Sequence, residues 1–278
     1  MGKNRTINLR TGGRNVMKKV IFFDIDGTIS SEETGEIPES AIYAIRKARE
    51  NGHLVFINTG RTMFSIDEKY KEIGFDGYIC GCGTDIYVGD QCIFRSDQPE
   101  GRCREIMEMA RQTKVTAVYE SHEAVFFDHT LPKHEVIDGL VKRFGLGGRN
   151  VPEVIDGDEI PFEKFCFWVS EEADLEAFLE YIAPYFQYVD RGNDMYELMP
   201  EGISKGTGIQ VILDYYQISL ENSYAIGDST NDLAMLEYVP HSIAMGNSMK
   251  EILPFCEYQT DTVENDGIEK ALKHYGII

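Results

Sequence analysis

The stretch Val20-Ile21-Phe22-Phe23-Asp24-Ile25-Asp26-Gly27-Thr28 decides how the rest of this 278-residue chain is read. Four apolar β-formers in a row leave no polar face. That is the texture of a strand buried on both sides of a parallel sheet. The run stops at two aspartates and a glycine, which turn the chain. Downstream, Pro38 opens a helix whose Ile42, Ile45 and Ala48 share one face, and Gly52 ends it. A second buried strand runs from Leu54 to Ile57 and ends in Asn58-Thr59-Gly60-Arg61. A third, Tyr78 to Cys80, ends in Gly81-Cys82-Gly83. This alternation predicts an α/β fold, a doubly wound parallel sheet with helices on both faces.

The texture changes near Thr84. Strand-like runs at 85–88, 91–94, 116–127, 165–169 and 187–189 lie close together or flank helical patterns at 102–112, 133–144 and 173–182. Parallel-sheet texture returns with a helix at 208–216, a strand at 223–226 ending in Gly227-Asp228, a helix at 233–238, a strand at 242–245 and a helix at 268–275. The expected organisation is therefore a core from 17–84 and 198–278, with an α+β cap inserted at 85–197. Residues 1–16 are polar and basic with no apolar segment, and read as a disordered leader or an extension foreign to the native chain.

The net charge is −20, which disfavours nucleic acid and anionic membranes as partners. An anionic substrate would need local positive charge from a metal or from placed Lys and Arg. No apolar run approaches a membrane span. The six cysteines (Cys80, Cys82, Cys92, Cys103, Cys166 and Cys256) are scattered and complete no zinc pattern, so they read as reduced thiols of a cytoplasmic protein.

Ligands of open α/β sheets sit beyond the carboxyl ends of the strands, where strand order reverses. Those ends supply Asp24, Asp26, Thr59 and Asp228, with Asn231 and Asp232 in the next turn. Lys205 lies in the glycine-bearing stretch Gly202-Ile203-Ser204-Lys205-Gly206. Converging carboxylates repel unless a cation neutralises them, and an oxygen-only set with few carboxylates suits Mg²⁺.

Asp-Ile-Asp-Gly-Thr after a buried strand, the Thr of Thr-Gly-Arg, an isolated Lys and Gly-Asp-x-x-Asn-Asp, in that order, resemble the four motifs of the haloacid dehalogenase superfamily. The insertion of roughly 110 residues between the second and third motifs resembles the large cap of the Cof-type branch. The resemblance covers nearly everything beyond Met17. It implies a Mg²⁺-dependent phosphatase acting on small phosphorylated metabolites, sugar phosphates or cofactor phosphates, through an aspartyl-phosphate. It implies Asp24 as nucleophile and Asp26 as general acid and base. The Asp24 carboxylate, the Asp26 carbonyl and Asp228 would be metal ligands, Thr59 and Lys205 phosphate contacts, and Asp232 and Asn231 supports.

Each of these residues also has a plainer explanation. Asp and Gly at strand ends make turns, Thr59, Asn231 and Asp232 could cap helices, and Lys205 could be a solvated lysine. Arg61 stays outside the catalytic set, since it could equally pair with a surface carboxylate. Aromatic residues between Tyr119 and Phe127 read as cap core, and Arg191 as the cap cation to test against an anion. Two departures from the family pattern stand out. Asn58 replaces the usual Ala of the second motif, and Gly81-Cys82-Gly83 replaces the usual Asn-Gly-Ala, which leaves any borrowed substrate preference in doubt. A dehalogenase is disfavoured by Asp26, and a phosphomutase by the short spacing from Thr28 to Thr59. A non-catalytic protein keeping the phosphatase fold would have lost motif residues, and none of the core positions is lost.

Overall fold

The structure, a computed structural model, describes residues 17–128, 130–131, 136–137, 139–140, 142 and 160–278. The expected leader and most of the helical pattern at 133–144 lie outside the described residues. The strands are β1 (Val20–Phe23), β2 (Leu54–Asn58), β3 (Gly77–Cys80), β4 (Asp85–Val88), β5 (Gln91–Arg95), β6 (Thr116–Glu120), β7 (Val125–Phe127), β8 (Lys164–Trp168), β9 (Phe186–Gly192), β10 (Met195–Pro200), β11 (Ser223–Gly227), β12 (His241–Ala244) and β13 (Tyr258–Gln259). Described helices of eight residues or more are α1 (Glu39–Glu50), α2 (Arg102–Thr113), α3 (Leu175–Ile182), α4 (Lys205–Tyr216) and α5 (Gly267–His274).

Alternate residues of the central strands feed two cores, one on each face of the main sheet. Ile21, Phe23, Val55 and Ile57 pack with Ala44 and Ile45 of α1 and Ala271 and Leu272 of α5. Val20, Phe22, Leu54 and Phe56 pack with Ile209, Ile212 and Leu213 of α4. Each such side chain contributes about 1.5–3 kcal/mol by leaving water, so an unbroken apolar run is stable only when both faces are covered.

The sheet order is β13-β12-β11-β1-β2-β3-β4-β5. Pairing is parallel from β13 to β3 and antiparallel from β3 to β5. From β1 the chain moves to β2 on one side, and it later returns to β11 on the other. The loops after β1, β2 and β11 therefore diverge around one crevice.

The expected core boundary after Thr84 is corrected here. β4 and β5 hydrogen-bond onto β3 and extend the core sheet, so the core runs to Arg95. The turn Gly81-Cys82-Gly83 folds the chain back, with Cys82 in the left-handed region at φ 58°. Period-two alternation marks a hairpin but not the sheet it joins, which is why the boundary was misplaced.

The second sheet has the order β7-β6-β8-β10-β9 and is antiparallel throughout. Ala117, Tyr119, Phe165, Phe167 and Leu198 form a core with residues of α2 and α3. Val118, Val125, Cys166 and Trp168 lie on the opposite face. β10 has no counterpart among the predicted strands, because its Met-Tyr-Glu-Leu-Met-Pro carries a charge in mid-strand.

Candidate active site

Asp24 follows β1 directly and is buried, with its backbone N–H bonded to the Ile226 carbonyl of β11 at 3.0 Å. Its Oδ1 accepts from Lys205 Nζ at 2.7 Å. The same ammonium donates to Asp232 Oδ1 at 2.6 Å. Lys205 is the first residue of α4, a place the helix dipole disfavours for a cation. Ser204 holds that helix start with a capping box to Thr207. Asn58, the departure from the family's Ala, donates Nδ2 to the Lys205 carbonyl at 3.0 Å and so ties β2 to the same helix start.

Asp232 accepts at both carboxylate oxygens. Its Oδ2 accepts the backbone N–H groups of Asp228 and Ser229 at 2.9 and 3.1 Å. This geometry makes it a brace for Lys205 and for the loop after β11. Asp228 keeps more freedom, since among the described residues its carboxylate accepts only the Thr28 hydroxyl, on Oδ1 at 3.2 Å. Gly27 is obligatory beside it. Its φ is +76°, and a Cβ there would lie 2.3 Å from Asp228 Oδ2.

Carboxylate oxygens of Asp24, Asp228 and Asp232 lie within 4.8 Å of one another. Burial pushes the Asp24 carboxyl up to about 7, helped by Asp232 and Asp26 and opposed by Lys205. Burial, Asp232 and Asp24 push Asp228 up to about 9. Burial alone would lower the Lys205 ammonium, but Asp232 and Asp24 reverse that and hold it above its ordinary value. One ammonium, Lys205, does not offset the clustered carboxyls, and their hard oxygens fit a small divalent cation.

Asp26 lies in the same crevice, but its side chain is half exposed and turned to Arg61. The guanidinium grips it twice, Nε to Oδ2 at 2.9 Å and Nη2 to Oδ1 at 2.6 Å, and also reaches Asp67 at 3.1 Å. Arg61 thus belongs to the site, although sequence reasoning set it aside. Thr59 is buried, and its hydroxyl accepts from the Arg61 N–H at 3.2 Å. Asn231 accepts from Ser229 Oγ on its Oδ1 at 3.0 Å and is tied to the cap, with Nδ2 donating to Glu197 Oε2 at 3.3 Å.

That last contact introduces residues the sequence did not reveal. Lys164 of β8 is buried and donates to the Gly60 carbonyl at 2.9 Å and to Glu197 Oε1 at 2.5 Å. Burial would raise Glu197, but Lys164 and Arg191 bring it down to about 2. Arg191, on β9, donates to Ser229 Oγ at 3.4 Å. Cys82 donates its thiol to Glu197 Oε1 at 3.5 Å, and burial and Glu197 push that thiol up to about 12. It is no nucleophile at neutral pH. A cavity of about 320 Å³ lies between the two sheets, lined by Asp24, Asp26, Thr59 and Arg61 below and by Glu120, Trp168, Arg191 and Met195 above.

Residues 21–272 match the model of the haloacid dehalogenase-like hydrolases, and the chain belongs to that family. It is a phosphatase of the Cof-type branch. It is 32% identical over 266 residues to "Putative phosphatase YkrA" of Bacillus subtilis strain 168, covering 94% of this chain and 98% of that one. It is 26% identical over 271 residues to the 5-amino-6-(5-phospho-D-ribitylamino)uracil phosphatase YitU of the same organism, covering 92% of this chain and 97% of that one. Among solved structures it is similar to the subclass IIB sugar phosphatase BT4131, with TM-score 0.81, 28% identity, and coverage of 94% of this chain and 100% of that one.

Proposed function

We propose that the chain hydrolyses phosphate monoesters of small metabolites through an aspartyl-phosphate on Asp24, with Mg²⁺ as cofactor. The observation that carries this reading is the buried Asp24 carboxylate at the end of the central strand, clamped by Lys205 at 2.7 Å and open to the cavity. The sugar phosphatase and ribitylaminouracil phosphatase among its relatives support a small phosphorylated substrate. The free cysteines fit the cytoplasm.

Asp24 and Asp228 would hold the cation with their carboxylates, and Asp26 with its backbone carbonyl. Bound there, Mg²⁺ supplies positive charge to the phosphoryl oxygens. Lys205 and Thr59 contribute donors to those oxygens, where the charge of phosphoryl transfer is spread. An Asp24 oxygen attacks phosphorus as the ester P–O bond breaks, and protonated Asp26 gives its proton to the departing alcohol oxygen. Asp26 then takes a proton from water as that water attacks phosphorus. The P–O bond to Asp24 breaks, leaving inorganic phosphate and a free carboxylate. Arg61 must loosen its hold on Asp26 for the first transfer, and an incoming phosphoryl group offers it other oxygens.

The test is phosphate release from p-nitrophenyl phosphate, with and without Mg²⁺, by the wild type and by Asp24→Asn. We expect turnover that requires the cation and disappears in the variant. Turnover retained by Asp24→Asn would exclude the covalent route.

A further inference from the structure

We propose that the cap half of the cavity receives an apolar, ring-sized leaving group carrying one hydrogen-bond donor, and that Val118, Trp168, Met195 and Glu120 select it. This rests on the phosphatase reading and specifies its substrate class. Strand alternation sends Val118 and Glu120 of β6, Val125 of β7, Lys164 and Trp168 of β8, and Met195 and Glu197 of β10 to the cavity. The charged members are mostly spoken for. Lys164 spends its donors on the Gly60 carbonyl at 2.9 Å and on Glu197 at 2.5 Å, with Glu120 Oε1 3.4 Å away. Glu197 is shared among Lys164, the Cys82 thiol and Asn231. These groups brace cap against core.

Arg191 leans on Ser229 of the core, and the cap side presents to the cavity a carbon wall of Val118, Val125, Val136, Leu140, Trp168 and Met195, together with Glu120 Oε2, which has no donor among the described residues. Hydroxyl groups of a sugar placed on that wall would lose water and find few partners. A ring would set carbon against carbon, with an indole beside it. A cavity of about 320 Å³ is at the small end for ligand sites, enough for a phosphoryl group and one ring.

Trp168 is the sole tryptophan of the chain, so its fluorescence reports directly on this wall. Asp24→Asn, which should bind without turnover, would be titrated in Mg²⁺ with benzyl phosphate, 4-(aminomethyl)benzyl phosphate and glucose 6-phosphate. All three are esters of primary alcohols, so differences report recognition and not bond strength. We expect the emission to change on binding and benzyl phosphate to bind at least tenfold tighter than glucose 6-phosphate. The aminomethyl group should add a further gain of at least threefold, lost when Glu120→Gln is added. Met195→Gln, nearly isosteric but polar, should shrink the benzyl-to-glucose ratio severalfold in protein shown to be folded by circular dichroism. Equal or reversed affinities, an unchanged emission, or a ratio untouched by Met195→Gln would each overturn the proposal. If Asp24→Asn turns the esters over as fast as the wild type, the aspartyl-phosphate reading fails by itself, and the titration still decides the character of the wall.

Discussion

At the scale of single residues, the electrostatics of the acidic cluster make a definite claim about pH. Asp228 and Asp24 are raised to about 9 and about 7, whereas their unfolded values lie near 3.8. Between those values the folded protein binds more protons than the unfolded chain, so in the absence of a divalent cation their contribution to stability falls as pH rises through that window. A cation favours the ionised carboxylates and should oppose the loss. The gain in melting temperature on adding Mg²⁺, measured in chelator-treated protein from pH 5 to pH 8, should therefore grow with pH. Asp228→Asn should abolish most of that growth. A gain that is constant across the range would contradict the assignment of these carboxylates to the cation. Arg191 makes a second claim at this scale. Its guanidinium lines the cavity beside Ser229, so Arg191→Met should raise KM for a dianionic ester about tenfold while changing kcat little, as expected for loss of one charge-assisted contact. A fall in kcat with KM unchanged would place Arg191 in the chemistry and not in binding.

At the scale of elements, two devices hold residues of the candidate site in place. The first is the start of α4. Its capping box satisfies backbone donors in the turn that carries Lys205. Ser204→Ala should cost about 1 kcal/mol in denaturant unfolding. Activity should fall more than that loss predicts if the cap also aims the ammonium. The second is the pairing of β8 with β10, which sets Lys164 against Glu197 inside the protein. Removing one partner of a buried pair leaves an uncompensated charge, so Lys164→Met should cost about 3 kcal/mol. The double variant Lys164→Met/Glu197→Gln should recover part of the loss, since neither site then carries a full charge. Equal destabilisation by the single and double variants would show that the pair is not energetically coupled.

At the scale of the molecule, core and cap meet across the cavity through a small set of polar ties: Lys164 to Gly60, Glu197 to Asn231 and Arg191 to Ser229. At the junction, Arg95 of the extended core sheet pairs with Asp85 at 2.7 Å and reaches Glu163 of the cap at 3.9 Å, and His122 holds that same Glu163 at 2.6 Å. Phe64 of the core also packs against the Val118–Trp168 cluster of the cap, and contacts this local would let the two bodies separate for ligand entry and product release. Turnover should therefore slow as solvent viscosity rises, when measured with a good leaving group. A rate independent of viscosity would show that chemistry, and not opening or release, limits the cycle.

The core was legible in the chain because its signals are local. The apolar runs Val20–Phe23 before Asp24, Leu54–Ile57 before Asn58 and Tyr224–Ile226 before Gly227-Asp228 each specify a doubly covered strand and place a polar group beyond its end. The motif order then brought Asp24, Thr59, Lys205 and Asp228 to one crevice. The structure joins Lys205 to Asp24 and Asp232 over separations of 181 and 27 residues. The cap side was not legible, for physical reasons. Glu197 and Lys164 look like ordinary surface charges until β8 and β10 pair and bury them together. Arg61 could not be told from a residue paired with a surface carboxylate, because only the tertiary fold sets Asp26 and Asp67 within its reach. The β4–β5 hairpin carries alternation that fits either sheet, and the unpaired edge of β3 decided the matter. Local pattern determines which segments become strands and which residues end them, because burial and turn chemistry act over a few residues. Long-range pairing alone decides which charges are buried together, and so what the cavity can hold.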